Sequence, residues 1–147
     1  MPETITLHQF PRPKMVANLG FFCMKVEVFM RITSIPYQIE EIFNPANAPK
    51  RKLPYITHQG QKIPDSSHII EYLTSYFSIT LNDHLNQEQL AIGHAVKIML
   101  EERLRWCIVY SRWLDKRYSP SFQNIFLDLL PFPIRIIYPL LATKTKK

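Results

Sequence analysis

This chain of 147 residues has few glycines and few cysteines, and each shortage excludes a class of protein. Its three glycines lie far apart, so a glycine-rich loop that wraps a phosphate group with its backbone is excluded. The two cysteines, Cys23 and Cys107, form neither a CxxC pair nor a zinc-binding set. The five histidines show no metal-ligand spacing. We therefore expect a protein without a bound metal.

Other missing features bear on the cellular location and the partners of the protein. The opening segment, Met1 to Thr4, is short and polar, so we expect no secretory signal peptide. Together with the low number of cysteines, this predicts that the protein is located in the reducing cytoplasm. The net charge of +6 would suit nucleic acid, but neither RNP-type aromatic motifs nor a helix-turn-helix accompany it, so we expect no nucleic-acid partner. The apolar stretch from Ile125 to Ala142 contains Asp128, Arg135 and three prolines, which argues against a transmembrane helix.

A short basic tail, Lys144, Lys146 and Lys147, follows that apolar stretch. Apolar residues followed by lysines can lie on an anionic membrane surface. Three lysines are a weak signal of peripheral membrane binding, because stable anchoring generally needs two signals. A solvated tail is the favoured interpretation.

The first third of the chain alternates between the periods of a strand and of a helix. Ile5 to Phe10 alternates apolar and polar residues and predicts a strand, and Tyr37 to Phe43 predicts a second one. Between them, residues from about Gly20 to Thr33 form an amphipathic helix, which Pro36 ends. The two strands are expected to be parallel through a right-handed crossover.

The most informative stretch begins at Lys52. Its residues predict a strand entered through Pro54, a short hairpin, and a helix that opens on Asp65, Ser66 and Ser67. Pro54 cannot donate a ladder hydrogen bond, so it belongs at the first position of a strand or in a turn, where a cis peptide is compatible. The three polar side chains suit the unpaired N–H groups of a helix terminus, which can also hold an anionic ligand group. An ordinary hairpin and helix cap remain the alternative.

A long helix is predicted in the second half. Asn86 and Gln89 form a weak capping box, and no proline interrupts the segment from Gln87 to about Lys116. Trp106 and Trp113 lie on its broad apolar face, and this stripe is interpreted as core packing.

The order of strand, helix, strand, loop, strand, strand, helix resembles that of the glutathione S-transferase superfamily. The chain looks like the metaxin and failed-axon-connections-like branch in the segments Phe22–Glu27, Lys62–Ile70, Leu85–Ala95, Met99–Trp106 and Tyr110–Trp113. The similarity runs from about Ile5 to Trp113. The resemblance implies an α/β thioredoxin-like N-terminal domain, residues 1–80, followed by an all-α glutathione-transferase-like C-terminal region, residues 81–147. That region is truncated relative to the family, because proline-broken sequence replaces the further helices.

The resemblance also implies a ligand, glutathione, or a similar thiol or acidic molecule. The backbone of Leu53 beside Pro54 would hold its cysteinyl part. Asp65 and Ser66 would hold its γ-glutamyl end. The basic residues Lys50 to Lys52 could attract such an acidic ligand.

One departure concerns catalysis. The branch usually carries Ser-Pro-Phe-Cys at the start of the first helix, whereas this chain has Gly20, Phe21, Phe22 and Cys23. Gly20 has no side chain that could activate a thiol or attack as a thiolate. Cys23 is a weak catalytic candidate: a helix N-terminus can lower the pKa of a thiol, but a cysteine at this position more often faces the core.

Two functions are therefore expected. The first is a glutathione S-transferase-like protein with doubtful catalytic capacity. The alternative is a non-enzymatic, metaxin-like interaction module that binds a protein partner or a membrane surface. Because the apolar face of the long helix lacks the helices that would cover it, we also expect self-association or a protein partner along that helix.

Overall fold

The computed structural model describes residues 4–130, 132, 134 and 135. The chain divides into two compact units, Met1–Leu90 and Ala91–Lys147. The predicted boundary between residues 80 and 81 stays a prediction. The basic tail at Lys144, Lys146 and Lys147 lies outside the described residues.

The first unit alternates strands and helices in the predicted order. Its elements are β1 (Ile5–Gln9), α1 (Phe21–Ile32), β2 (Tyr37–Glu41), two 3-10 turns (Pro45–Asn47 and Pro49–Arg51), β3 (Tyr55–His58), β4 (Gln61–Pro64) and α2 (Ser66–Tyr76).

The four strands form one mixed sheet in the order β2-β1-β3-β4. β1 and β2 are parallel, with Leu7 opposite Ile39, and α1 forms the crossover between them. β3 is antiparallel to both β1 and β4. The predicted thioredoxin-like arrangement is confirmed.

The core of this unit lies between the sheet and the two helices. It contains the side chains of Ile5, Leu7, Val26, Met30, Ile35, Ile56, Ile69 and Leu73. All but Ile35 are at most 1% exposed. Since burying such a side chain contributes about 1.5–3 kcal/mol, this cluster is the main source of stability for the sheet that positions the candidate site.

The second half is helical, as predicted. It consists of α3 (Gln87–Met99), a π-helical turn (Leu100–Leu104), α4 (Arg105–Trp113) and α5 (Ser119–Leu129). The predicted capping box is present: the Asn86 side chain accepts from the Gln89 amide at 2.9 Å, and the Gln89 side chain accepts from the Asn86 amide at 2.9 Å. Among the described residues, no helix combines the length and the apolar character needed to cross a membrane.

The interpretation of the tryptophan stripe as core packing is wrong for Trp106. Its side chain is 57% exposed, and Arg105 stacks on its ring at 4.4 Å. Trp113 is 37% exposed and makes edge contacts with Phe122 and Phe126 of α5. The apolar spacing was correct, but within the described residues nothing covers the outer part of this face.

Candidate functional site

Strand register brings three chain segments to one edge of the sheet. Tyr55 pairs with His8 near the end of β1 and with Pro64 at the end of β4. Pro54, just before β3, and Asp65, just after β4, therefore lie at the same edge. α1 begins beyond that edge, after the loop that leaves β1. Two helix N-termini and the proline turn consequently lie near this edge. The sequence predicted the proline turn and the polar start of α2, but not the approach of α1.

Asp65 caps α2 and has an unusual backbone conformation. Its side chain accepts hydrogen bonds from the amides of Ser67 at 2.9 Å and His68 at 3.4 Å. Its φ of 74° and ψ of 125° lie where a residue with a side chain is strained, by about 1–3 kcal/mol. Such strain persists only where the surroundings impose it, and it is concentrated at ligand sites.

Several interactions favour the charged form of the Asp65 side chain. Burial alone would raise the pKa of its carboxyl group, but the hydrogen bonds from the Ser67 and His68 amides, followed by the electrostatic effects of His68 and then Lys25, outweigh burial, so the pKa is lowered. Asp65 is therefore a carboxylate at neutral pH. It can accept a hydrogen bond from an ammonium group.

Ser66 lies at the first position of α2 and is 6% exposed. Its hydroxyl accepts a hydrogen bond from Lys25 Nζ of α1 at 3.3 Å, and the same ammonium reaches the Ser67 hydroxyl at 3.1 Å. Sequence reasoning missed Lys25 as a site residue. Its only signal was a position off the apolar face of α1, because a contact across 41 residues leaves no local pattern.

Leu53 and Pro54 complete the edge. The peptide bond between them is cis, as the sequence allowed. Pro54 is buried and Leu53 is half-buried, while the preceding basic residues, Lys50 to Lys52, are exposed. The backbone of Leu53 therefore lies beside the end of the strand pair that leads into Asp65.

The structure leaves little room for a side chain at position 20, where an activating side chain would be expected. A Cβ atom added to Gly20 would lie 2.8 Å from Cys23 Sγ and 3.2 Å from a ring carbon of Phe10. The Gly20 amide already donates to the Asn18 side chain at 2.8 Å. A side chain at position 20 would require Cys23 to move.

Cys23, the weak catalytic candidate, is fully buried. Burial raises the pKa of its thiol to about 11, against the smaller opposing effect of backbone hydrogen bonds at Phe10 and Cys23 itself. The helix N-terminus therefore does not lower this pKa below the ordinary value. At neutral pH the group is a thiol, which is a poor nucleophile.

A second polar cluster, which sequence reasoning also missed, surrounds Glu27 of α1. Glu27 is 5% exposed, and its carboxylate accepts hydrogen bonds from Arg12, from Arg31 and from Tyr37. Burial would raise the pKa of this carboxyl group, but the hydrogen bond and charge of Arg12, with Gln9 and Arg31, lower it overall. Glu27 is thus a buried, paired carboxylate.

This cluster connects to the start of α1. Gln9 donates to Glu27 at 3.4 Å and accepts from Asn18 at 2.8 Å, and Asn18 in turn accepts from the Gly20 amide. The chain of hydrogen bonds fixes the loop between β1 and α1. A shallow recess of about 210 Å³ beside it is lined by Arg12, Ala17, Met24, Glu27, Val28 and Arg31.

Comparisons with known proteins indicate the family of this chain. Residues 21–118 match the family model described as the glutathione S-transferase N-terminal domain. Failed axon connections of Drosophila melanogaster is 34% identical over 75% of this chain and 26% of its own length. Isoprene-epoxide–glutathione S-transferase of Rhodococcus is 32% identical over 76% of this chain and 49% of its own length. Human metaxin-1 is 27% identical over 86% of this chain and 30% of its own length.

Solved structures show the same fold. A glutathione transferase homologue from Burkholderia, with bound glutathione, has a TM-score of 0.55 at 18% identity and covers 67% of this chain and 54% of its own. A diazinon-metabolizing glutathione S-transferase of the silkworm Bombyx mori has a TM-score of 0.58 at 13% identity. The match covers 86% of this chain and 64% of the silkworm chain. The chain spans between a quarter and a half of the length of the curated relatives named above.

Proposed function

The chain belongs to the glutathione S-transferase family, and on that basis we propose that it binds glutathione, or a similar thiol or acidic ligand, and has doubtful catalytic capacity. The observation that carries this proposal is Asp65, whose strained backbone and ionised carboxylate stand beside the buried Ser66 at the proline edge of the sheet. An ordinary helix cap does not need a strained aspartate.

The ligand is oriented by two parts of the edge. The backbone of Leu53, beside the cis Pro54, takes the cysteinyl part of glutathione. Asp65 and Ser66 take the γ-glutamyl end, where the helix N-terminus favours an anionic group. The exposed basic residues before Leu53 add attraction for an acidic ligand.

Conjugation is expected to be slow because the thiol lacks an activating group. Gly20 supplies no hydroxyl, and the buried Cys23 keeps its proton. Positioned proton transfer typically contributes a factor of about 10²–10⁴ in rate, so its loss brings turnover close to the uncatalysed rate.

Calorimetric titration with glutathione tests the binding. We expect Ser66→Ala to weaken affinity, since losing a buried hydrogen-bond partner costs about 1–3 kcal/mol, which is roughly 5- to 150-fold. Ser119→Ala is the matched control, because Ser119 is similarly buried, at 8% exposed, but lies in the second unit. Equal affinities for wild type and Ser66→Ala would contradict the assignment.

An assay with a standard electrophile tests the chemistry. We expect turnover near background for wild type. Brisk turnover would refute this expectation, and its loss in Cys23→Ser, but not in the exposed-cysteine control Cys107→Ser, would assign the reaction to Cys23.

A second function, that of an interaction module, is favoured by one observation. Large apolar side chains are exposed along the helices from Leu90 to Tyr118, among them Ile92, Met99, Trp106, Tyr110 and Leu114. Such a surface is typical of an interface with a second copy or a protein partner. Sedimentation at micromolar concentration is expected to show association, and a single monomeric species with little binding of a hydrophobic dye would contradict it.

A further inference from the structure

We propose that the recess beside Glu27 is a second binding site, and that its ligand is a small organic carboxylate with a short apolar chain. The guanidinium groups of Arg12 and Arg31 bind the carboxylate, and the side chains of Met24 and Val28 contact the apolar chain. None of the residues that line the recess belongs to α2 or to the proline turn. The site is therefore separate from the edge proposed for glutathione, and it does not depend on glutathione binding.

The recess carries an unbalanced positive charge. Arg12 and Arg31 both donate to the same oxygen, Oε1, of the buried Glu27 carboxylate. One carboxylate balances one guanidinium group. Glu41 lies nearby, but its carboxylate accepts from the backbone amide of Arg12, at 3.0 Å, and from neither guanidinium group. Among the described residues, one of the two positive charges therefore has no carboxylate partner of its own.

Both arginines retain hydrogen-bond donors for a ligand. A guanidinium group has five N–H donors in a planar fork that matches a carboxylate. Arg12 uses one of them and Arg31 uses two, on Glu27 and Tyr37. The remaining donors have no acceptor in the described part of the chain. Because the two side chains are 37% and 62% exposed, a ligand can reach these donors without a rearrangement of the fold.

The apolar lining and the size of the recess restrict the ligand further. Ala17, Met24 and Val28 provide its carbon surface, and Met24 and Val28 are neighbours on α1 because they are four residues apart. The volume of about 210 Å³ is smaller than the range of about 300–1,000 Å³ that is usual for drug-sized ligands. A short branched carboxylate such as isovalerate suits both properties. An inorganic anion would leave the apolar surface unused.

The guanidinium groups are positioned before a ligand arrives. Glu27, which orients them, is itself fixed by Gln9 at 3.4 Å and by the Tyr37 hydroxyl at 3.3 Å. Arg31 Nε also donates to the Tyr37 hydroxyl at 3.2 Å. Side chains that are already ordered lose little conformational entropy on binding, and such preorganisation favours affinity.

A purely structural role for the two arginines, to neutralise Glu27, predicts a different result. In that case the recess would show no preference for a carboxylate over the neutral amide of the same shape. A surface that is merely basic would bind a carboxylate without regard to its apolar chain. Three ligands that differ in charge or in chain therefore separate the three explanations.

The test is an NMR titration of the full chain, with labelled methyl groups and backbone amides, using isovalerate, its neutral amide isovaleramide, and acetate. We expect isovalerate to saturate in the low millimolar range and to shift the methyl signals of Met24 and Val28. Isovaleramide should bind at least about 10-fold more weakly, because it lacks the charge, and acetate should also bind more weakly, because it lacks the chain. Arg31→Gln should weaken isovalerate about 5-fold or more. Arg117→Gln, which removes an exposed arginine paired with Asp115, is the control and should leave the affinity unchanged.

Four results would overturn the proposal. The absence of saturable isovalerate binding, or equal affinities for isovalerate and isovaleramide, would do so in wild type, even if Arg31→Gln failed to fold. An acetate affinity equal to that of isovalerate would mean a general basic surface. Shifts concentrated at Asp65 to His68 would place the ligand at the glutathione edge. An isovalerate affinity that Arg31→Gln leaves unchanged would remove the arginines from the site.

Discussion

The two units of this chain differ in where their apolar side chains lie. In the part of the chain that the structure describes, every buried apolar side chain belongs to Met1–Leu90, including Leu7, Met30 and Leu73 at 0% exposed. In the described residues from Ala91 onward only Ser119 is buried. The first unit has a core of its own, whereas the helices of the second expose apolar residues on several sides.

This difference separates two kinds of surface. In the first unit the packed sheet holds a set of polar groups, Lys25, Asp65 and Ser66, at one edge in a fixed geometry. A helix that is apolar on more than one side usually belongs inside a larger structure. We therefore propose that the first unit binds a small ligand and that the second binds another protein surface.

The largest effect should come from a matched pair of leucines. Leu73→Ala in the core of the first unit is expected to cost about 2–5 kcal/mol in the free energy of unfolding, because it leaves a cavity. Leu104→Ala, at a side chain that is 43% exposed, should change it by less than about 0.5 kcal/mol. Urea denaturation followed by far-UV circular dichroism measures both. Equal losses would mean that Leu104 is covered in solution, and the comparison would fail.

Carboxylates offer a second matched pair. Glu27→Gln should cost about 1–3 kcal/mol, because a buried carboxylate that accepts from Arg12 and Arg31 is lost. Asp128→Asn breaks the ion pair between Asp128 and Arg135, whose side chains are 65% and 55% exposed, and should cost less than about 1 kcal/mol. The same denaturation experiment measures both variants. A larger loss of stability for Asp128→Asn than for Glu27→Gln would contradict this expectation.

The smallest expected effect is a dependence of stability on pH that is due to His8. Its Nε2 lies 2.8 Å from Thr57 Oγ1 and its ring stacks on Tyr55 at 4.0 Å. Burial lowers the pKa of His8 below 6.5, which the Glu40 carboxylate offsets in part, while Lys62 adds to the lowering. The unfolded chain therefore takes up the proton first, and stability should fall as the pH drops below 6.5 toward the lower folded pKa.

Urea midpoints between pH 7.5 and 5 measure this effect. His8→Gln should flatten the slope in that range, with His94→Gln, at an exposed position of α3, as the control. A slope that His8→Gln leaves unchanged would mean that another group is responsible.

The elements could be predicted from sequence because their signals are local. Alternation in Ile5 to Phe10, the stop at Pro36 and the caps at Asp65 and Asn86 each depend on neighbouring residues, and the structure has all of them. The family resemblance then indicated which edge of the sheet matters. Composition and spacing alone predict the elements, and the site residues come from the resemblance.

The remaining features depend on contacts between distant residues. Lys25 meets Ser66 across 41 residues and Gln9 meets Glu27 across 18, and no period in the sequence encodes either contact. The closure of position 20 by Cys23 is a matter of atomic volume, which no residue pattern encodes. The burial of Cys23 was the favoured expectation for this helix position, and that burial raises the pKa of its thiol. The exposure of Trp106 depends on what covers α4, which an apolar stripe does not specify.

The central claim, that the edge of the first unit binds glutathione, is tested most directly by NMR titration of the isotopically labelled full chain. The account predicts that backbone amide shifts concentrate at Leu53 and at Asp65 to His68, with Lys25 next, and that the amides from Ala91 to Leu129 stay in place. The absence of any shift at millimolar glutathione, or shifts concentrated in the helices after Ala91, would contradict it.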